Sequence, residues 1–335
     1  MEKKVLSICI PTYNRKDVLI DEIKQYLTVQ DDRFYIKVND NCSTDGTAEA
    51  LAEIHDNRLI VSRNAENEGN VPNWMKSLLN CNSDYVIFVL DKDLVDIKYL
   101  SAFIDYLVSE KPNFGYIDLD LKKPKTIINY PKGYESILQM CYLDKHPSGY
   151  FYKKDIFDEA FWSPTFQQID KTFIFPFEIL NGSISVKYQS TIVVWPLIVN
   201  AALRVKKDTR TLSFNEENIW FGFDKRKLEF LYYLNNILSL PISIDKRKKI
   251  SLQILKVAIG NVTFRLKTLL KNDEVCYHYY VSCRNVSIIE MFNNMKIFLS
   301  LYYSSCSRGL NKLSIIQNML LAIISGSLGI IKSFK

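Results

Sequence analysis

Between Val5 and Asp93, short apolar, β-branched runs alternate with stretches of helical periodicity, and this alternation admits few architectures. Residues 5–10, 34–38, 58–62 and 85–90 read as strands, and 18–27, 47–54 and 72–79 as helices. Strands separated by helix-length segments form βαβ units rather than hairpins. The expected fold class is therefore α/β, with a mostly parallel central sheet flanked by helices. Such sheets bind ligands outside the carboxyl ends of their strands. Three polar segments that follow strands, 11–15, 39–45 and 91–93, would meet at that edge.

With 335 residues, 47% of them hydrophobic, the chain exceeds the usual size of one domain and is too apolar to be disordered. We expect an α/β domain over 1–205 and a helical C-terminal region over 206–335, where 225–238 and 246–270 have amphipathic patterns with basic polar faces. The net charge of +6 favours anionic partners. The basic residues are spread over helix faces without an aromatic-basic recognition motif, so no nucleic-acid partner is expected. Seven scattered cysteines give neither a disulfide framework nor a zinc spacing, and the N-terminus lacks a signal-peptide core. These features point to a cytoplasmic location. The apolar stretch 315–331, flanked by Lys312, Lys332 and Lys335, is interrupted by Gln317 and Asn318 and is marginal for a bilayer span. A helix lying on the inner face of the cell membrane and a helix buried on the protein or in a homo-oligomer interface both remain open.

Asp91 and Asp93 stand one residue apart where a strand-like run ends. Hard divalent cations take oxygen ligands and keep positions for water and phosphate, so one or two carboxylates suffice for Mn²⁺ or Mg²⁺. A solvated surface turn is the plainer reading of this tripeptide alone. After the first strand, Pro11, Thr12, Tyr13, Asn14 and Arg15 form a loop in which a ring and backbone groups can hold a base and a guanidinium can meet phosphate. After the second strand, Asp40 can accept hydrogen bonds from a base or ribose, whereas Asp45 suits the cap of the helix starting near Thr47.

Taken in order, Ile-Pro-Thr-Tyr-Asn-Arg (10–15), Asn-Asp-Asn-Cys-Ser-Thr-Asp-Gly-Thr (39–47), Asn-Glu-Gly-Asn (67–70) and the apolar strand into Asp-Lys-Asp (91–93) resemble the family 2 glycosyltransferases of the GT-A fold. The resemblance is strong through about residue 110 and is not seen beyond residue 200. It implies a Rossmann-like catalytic domain and metal-dependent, inverting transfer of a sugar from a nucleotide-sugar, most often a UDP-sugar, to an acceptor hydroxyl. By the resemblance, residues 11–15 line the nucleotide pocket, Asp40 contacts the base, and Asp91 and Asp93 are the family's Asp-x-Asp, with Asp93 the better metal ligand and Asp91 also near the donor. Lys92 and Asn39 depart from the commoner pattern. The implied acceptor is a lipid-linked or oligosaccharide hydroxyl in surface polysaccharide synthesis, such as capsule or O-antigen.

The resemblance implies a direct displacement whose base lies about 80 to 100 residues past the Asp-x-Asp, and in that window Glu178 and Asp170 are the two acidic candidates. Glu178 is favoured because an acid within an apolar, aromatic stretch needs a partner or a task. By the resemblance, the turn holding His146 and Ser148-Gly149 lies on the acceptor side, where His146 is either an acceptor contact or a structural histidine, and Trp162, Phe166, Tyr188 and Trp195 have the chemistry to stack on sugars or to fill a core. Two alternatives stand beside this reading: a catalytically silent GT-A-like scaffold in an assembly complex, and a protein or teichoic acid glycosyltransferase.

Overall fold

The computed structural model describes residues 2–118, 125–170, 173, 175–199, 223–265 and 287–333. They fall into two compact units. The first takes the described residues up to 132, 145–170 and 187–199; the second takes 133–144, 173, 175–186 and those from 223 onward. The expected boundary at 205/206 lies outside the described residues.

The first unit is built on an eight-stranded sheet. Its strands are β1 (Lys4–Thr12), β2 (Phe34–Asp40), β3 (Leu59–Arg63), β4 (Ser83–Phe88), β6 (Phe114–Ile117), β7 (Thr126–Tyr130), β8 (Tyr150–Lys153) and β9 (Ser190–Val194), in the order β3-β2-β1-β4-β8-β6-β9-β7. β1 pairs in parallel with β2 and β4, β2 with β3, and β6 with β9; β8 runs against β4 and β6, and β7 against β9. Six of the eight strands thus share one direction, as the βαβ pattern required. A separate ribbon joins β5 (Leu94–Val95) to β10 (Ile198–Val199).

β1 is an interior strand, between β2 and β4. Leu6, Ile8 and Ile10 on one face and Ser7 and Cys9 on the other are all 1% exposed or less, so layers cover both faces. Helices α1 (Lys16–Leu27) and α4 (Ile97–Glu110) present Leu19, Ile23, Tyr26, Leu100, Phe103, Ile104 and Leu107 to this core. Each such aliphatic or aromatic side chain contributes about 1.5–3 kcal/mol on burial. α4 begins where the Asp96 side chain caps Lys98 N–H at 3.0 Å. Helices α2 (Thr47–Ala52), α3 (Asn70–Leu78), α6 (Lys154–Phe161) and α7 (Pro164–Gln167) complete this unit.

The second unit is helical. It contains α5 (Tyr134–Met140), α8 (Pro176–Lys187, up to residue 186), α9 (Phe223–Ser239), α10 (Ile244–Gly260) with a π turn at Asn261–Arg265, α11 (Ile288–Cys306) and α12 (Lys312–Ser333). The helix expected over 246–270 leaves α geometry after Gly260, and residues 266–270 lie outside the described set.

Candidate active site

The polar segments expected at the carboxyl ends of β1, β2 and β4 are bonded to one another. Asn14 adopts a left-handed φ of 52°, which asparagine tolerates better than most residues. Its N–H donates to Ser43 Oγ (2.9 Å) and its Oδ1 accepts from Thr44 N–H (2.8 Å), locking the loop after β1 to the loop after β2. Asp45 strengthens this lock: Oδ1 accepts from Thr47 N–H at 3.1 Å, at the start of α2, and Oδ2 accepts from Lys16 N–H at 3.0 Å, at the start of α1. One carboxylate thus serves two helix N-termini, each a site of unmet donors. The capping expected of Asp45 has a partner in both helices.

An asparagine lattice ties in the third motif. Asn41 Oδ1 accepts from Asn64 Nδ2 (2.8 Å) and Glu68 N–H (3.0 Å), while Asn41 Nδ2 donates to Asn67 Oδ1 (2.7 Å) and to the Gly69 carbonyl (3.2 Å). Asn39, the departure from the commoner aspartate, is 3% exposed; its amide donates to Asn73 Oδ1 at 2.6 Å, and its Oδ1 accepts from Ser62 Oγ. A carboxylate there would have no donor to offer Asn73 Oδ1. Asn39 is therefore suited to the scaffold of this site.

Asp40 is fully buried. Its Oδ1 accepts from Ser43 N–H (3.0 Å), and its Oδ2 lies 3.4 Å from Arg63 Nη1 without a hydrogen-bond donor among the described residues. A buried carboxylate oxygen lacking a hydrogen bond is uncommon and marks a position where a ligand donor would be favoured.

Asp91 and Asp93 follow β4, which ends at Phe88, two residues before the expected strand end; a turn closes with Asp93 N–H donating to the Leu90 carbonyl at 2.9 Å. Thr12 Oγ1 donates to Asp91 Oδ2 at 3.0 Å, and Arg15 Nε lies 3.5 Å from Asp91 Oδ1. Burial pushes the Asp91 carboxyl above its usual range; Arg15, the Thr12 hydroxyl and the Tyr13 N–H offset only part of that. Asp93, fully buried, is anchored from the far side of the sheet's centre: Ser148 Oγ donates to Asp93 Oδ2 and accepts from Leu90 N–H at 3.0 Å. His146 Nε2 lies 3.6 Å from the same carboxylate oxygen, and its Nδ1 is buried without a hydrogen-bond partner among the described residues. Burial lowers the His146 pKa, opposed by the Asp93 charge and reinforced by Lys92.

Gly149 makes this anchorage feasible. At a φ of 105° its N–H donates to the Phe88 carbonyl (2.9 Å) and its carbonyl accepts from Ile117 N–H (3.0 Å), while a Cβ would lie 3.2 Å from that of Ile117. Ser148 was missing from the sequence-derived site. Its Ser-Gly turn was visible, but its hydroxyl's link to a carboxylate 55 residues away was not.

The two base candidates fall in different units. Asp170 is exposed, just after α7 in the first unit. Glu178 is 1% exposed in the first turn of α8 in the second unit, where its Oε2 accepts from Leu143 N–H at 3.2 Å. Among the aromatic candidates, Phe166 is buried against Phe161, Trp195 packs edge-on to Tyr106, Tyr188 donates to Glu159, and Trp162 is 64% exposed.

Among the described residues no group of three His, Cys, Asp or Glu side chains converges as a closed metal cage. The donor set at 91–93 is hard oxygen, as suits Mg²⁺ or Mn²⁺ with water and phosphate completing the shell. Both Asp91 oxygens face Thr12 and Arg15, and Asp93 Oδ2 faces Ser148 and His146.

Residues 7–148, which carry every one of these loops, match the family described as Glycosyl transferase family 2. The chain is 32% identical to abequosyltransferase RfbV of Salmonella typhimurium over 36% of its own length, and that match spans only 40% of RfbV. In fold it is similar to S. aureus TarS 1–349, at a TM-score of 0.59 and 14% identity, covering 97% of this chain and 89% of that one. The same TarS domain solved with UDP-GlcNAc gives a TM-score of 0.58 at 14% identity, with the same coverage of both chains. The sequence match over residues 7–148, the mostly parallel sheet and the loops at its carboxyl edge together place that segment with the family 2 glycosyltransferases, and the fold is the GT-A fold.

Proposed function

We propose that this protein transfers a sugar from a UDP-sugar to a hydroxyl of a lipid-linked or oligosaccharide acceptor in bacterial surface polysaccharide synthesis. The observation that carries the reading is the pair of buried, pre-positioned carboxylates: Asp91 tied to Thr12 and Arg15, and Asp93 tied to Ser148 and His146, both at the edge where such sheets take ligands. The donor assignment is supported by TarS, whose structures contain UDP and UDP-GlcNAc, and the reaction class by RfbV, whose name is that of a sugar transferase.

In this reading residues 11–15 line the nucleotide pocket, and Asp40 Oδ2 accepts from an imide N–H of the base, meeting the hydrogen bond it lacks among the described residues. Asp93, with Asp91, would hold Mg²⁺ or Mn²⁺, which when bound supplies charge neutralisation at the departing diphosphate. Arg15 adds a fixed positive charge on the same side. Glu178, or Asp170 in its place, removes the acceptor proton as the acceptor oxygen bonds to the anomeric carbon. The bond from that carbon to the diphosphate breaks with inversion, and the carboxylate keeps the proton.

Titration calorimetry with UDP and Mn²⁺ tests the reading. We expect saturable binding to the wild type, weakened at least tenfold in Asp93→Ala. Equal binding by both proteins would remove Asp93 from the donor site, and no binding of any uridine nucleotide would overturn the donor assignment.

A further inference from the structure

The last 45 residues, 291–335, contain no aspartate or glutamate and five basic residues: Lys296, Arg308, Lys312, Lys332 and Lys335. Within them α12 is long and apolar enough to cross a membrane by length and composition. Its inner side is already committed to the helical unit. Asn318, 1% exposed, donates to the Lys248 carbonyl (2.9 Å) and to Tyr302 Oη (2.7 Å). Ile315, Ala322 and Ile330 are buried. At Gly326 the helix backbone approaches so closely that a Cβ would lie 2.6 Å from Ile259 and 2.7 Å from Met295 Sδ. A bilayer span would have to strip the helix from α10 and α11 and carry Asn318 into hydrocarbon without these partners.

The outer side has the opposite character. Leu313, Ile316, Leu320, Ile324 and Ile331 follow one another at helical spacing, with Leu328 beside them, and each is between 41% and 67% exposed. Of the polar residues in this stretch, Asn318 points inward, while Gln317 is exposed on the outer side, where its Oε1 accepts from Lys248 Nζ at 2.7 Å. That bond also brings the basic run Lys246, Arg247, Lys248 and Lys249, in which Asp245 is the neighbouring carboxylate, beside the N-terminal half of α12.

We infer that the outer face of α12 lies on an anionic lipid surface, with its aliphatic stripe in the acyl boundary and the basic residues around it meeting phosphate headgroups. Charge complementarity selects this occupant. An apolar helix face flanked by lysines and free of acids suits the negative leaflet of a bilayer, whereas a second copy seated on the same face would oppose like charges. The inference does not depend on the glycosyl-transfer reading.

The test is co-sedimentation of the full chain with vesicles of phosphatidylglycerol and phosphatidylcholine against vesicles of phosphatidylcholine alone, for the wild type and for Leu320→Ser/Ile324→Ser/Leu328→Ser. The three positions are exposed, so the variant should keep the wild-type circular dichroism and melting point. We expect the wild type to bind the anionic vesicles at least tenfold more strongly than the neutral ones, with binding weakened by salt and reduced at least tenfold in the variant. Wild type that stays in the supernatant with anionic vesicles would overturn the inference, as would equal binding by a folded variant. A wild-type dimer by light scattering that the variant dissolves into monomers, without vesicle binding, would assign the face to a second copy instead.

Discussion

Replacing Ser148 by alanine tests how the site is held together. The Ser148 hydroxyl bridges the Leu90 N–H and the Asp93 carboxylate, and both Ser148 and Asp93 are fully buried, so no solvent replaces it at once. A hydrogen bond to a charged group contributes about 1.5–3 kcal/mol, and a buried N–H left without a partner costs about 1–3 kcal/mol. Relaxation of the turn recovers part of the sum, which leaves a loss of about 3 kcal/mol. At about 2–4 °C per kcal/mol for a domain of this size, the melting midpoint should fall by about 6–12 °C. Differential scanning calorimetry measures that shift. Turnover at saturating donor should also fall at least tenfold in protein shown to be folded at the assay temperature, because Asp93 loses the group that aims it. A midpoint within about 2 °C of wild type would refute the bridging role. A large shift with unchanged turnover would make Ser148 structural and free Asp93 from it.

The other predictions concern the base, the core and one ion pair. Glu178→Gln keeps an acceptor for Leu143 N–H, so it should leave donor affinity near wild type while lowering turnover by about 10²-fold or more; near-normal turnover would pass the role to Asp170. Gly115→Ala would force a Cβ against the Thr191 carbonyl and the Phe151 ring inside the sheet, and a urea titration should show a loss of about 1–3 kcal/mol or more; a neutral effect would mean that β6 and β9 can spread. Hydrogen bonds from Arg33 hold the Asp31 carboxyl at about 2, below its usual value. A depressed carboxylate stabilises above its unfolded pKa and loses that contribution as pH falls through the folded one. Since Arg33 is 38% exposed, Asp31→Asn should cost under about 1 kcal/mol at neutral pH, and the difference from wild type should fade between about pH 4 and 2. A difference that grows on acidification would reverse the assignment.

The half of the sheet formed by β1 to β4 was legible because its strands alternate with helices and its hydrophobic period changes at each boundary. The other half was not. β8 inserts antiparallel between β4 and β6, and β7 pairs with β9 across a sequence separation of about sixty residues, relations that no local pattern encodes. In the site, Asp91 and Asp93 stood out by charge and spacing, whereas the turn at Ser148 carried no sign of its bond to Asp93, and Asn39 was visible only as an oddity until Asn73 and Ser62 supplied its partners. The C-terminal helix shows the same limit. Gln317 and Asn318 weaken its apolar run in sequence, and only the structure shows that Asn318 is turned inward to Tyr302 while Gln317 stays on the outer side beside Lys248.

Release of UDP from UDP-sugars tests the central claim most directly. Purified full-length protein is incubated with a panel of UDP-sugars and Mn²⁺, and UDP is quantified for the wild type and for Asp93→Ala. Slow release from one member of the panel by the wild type, lost in the variant, is the predicted result and would fix the donor and the role of Asp93 together. No release from any UDP-sugar, or release that survives the loss of Asp93, would contradict the account.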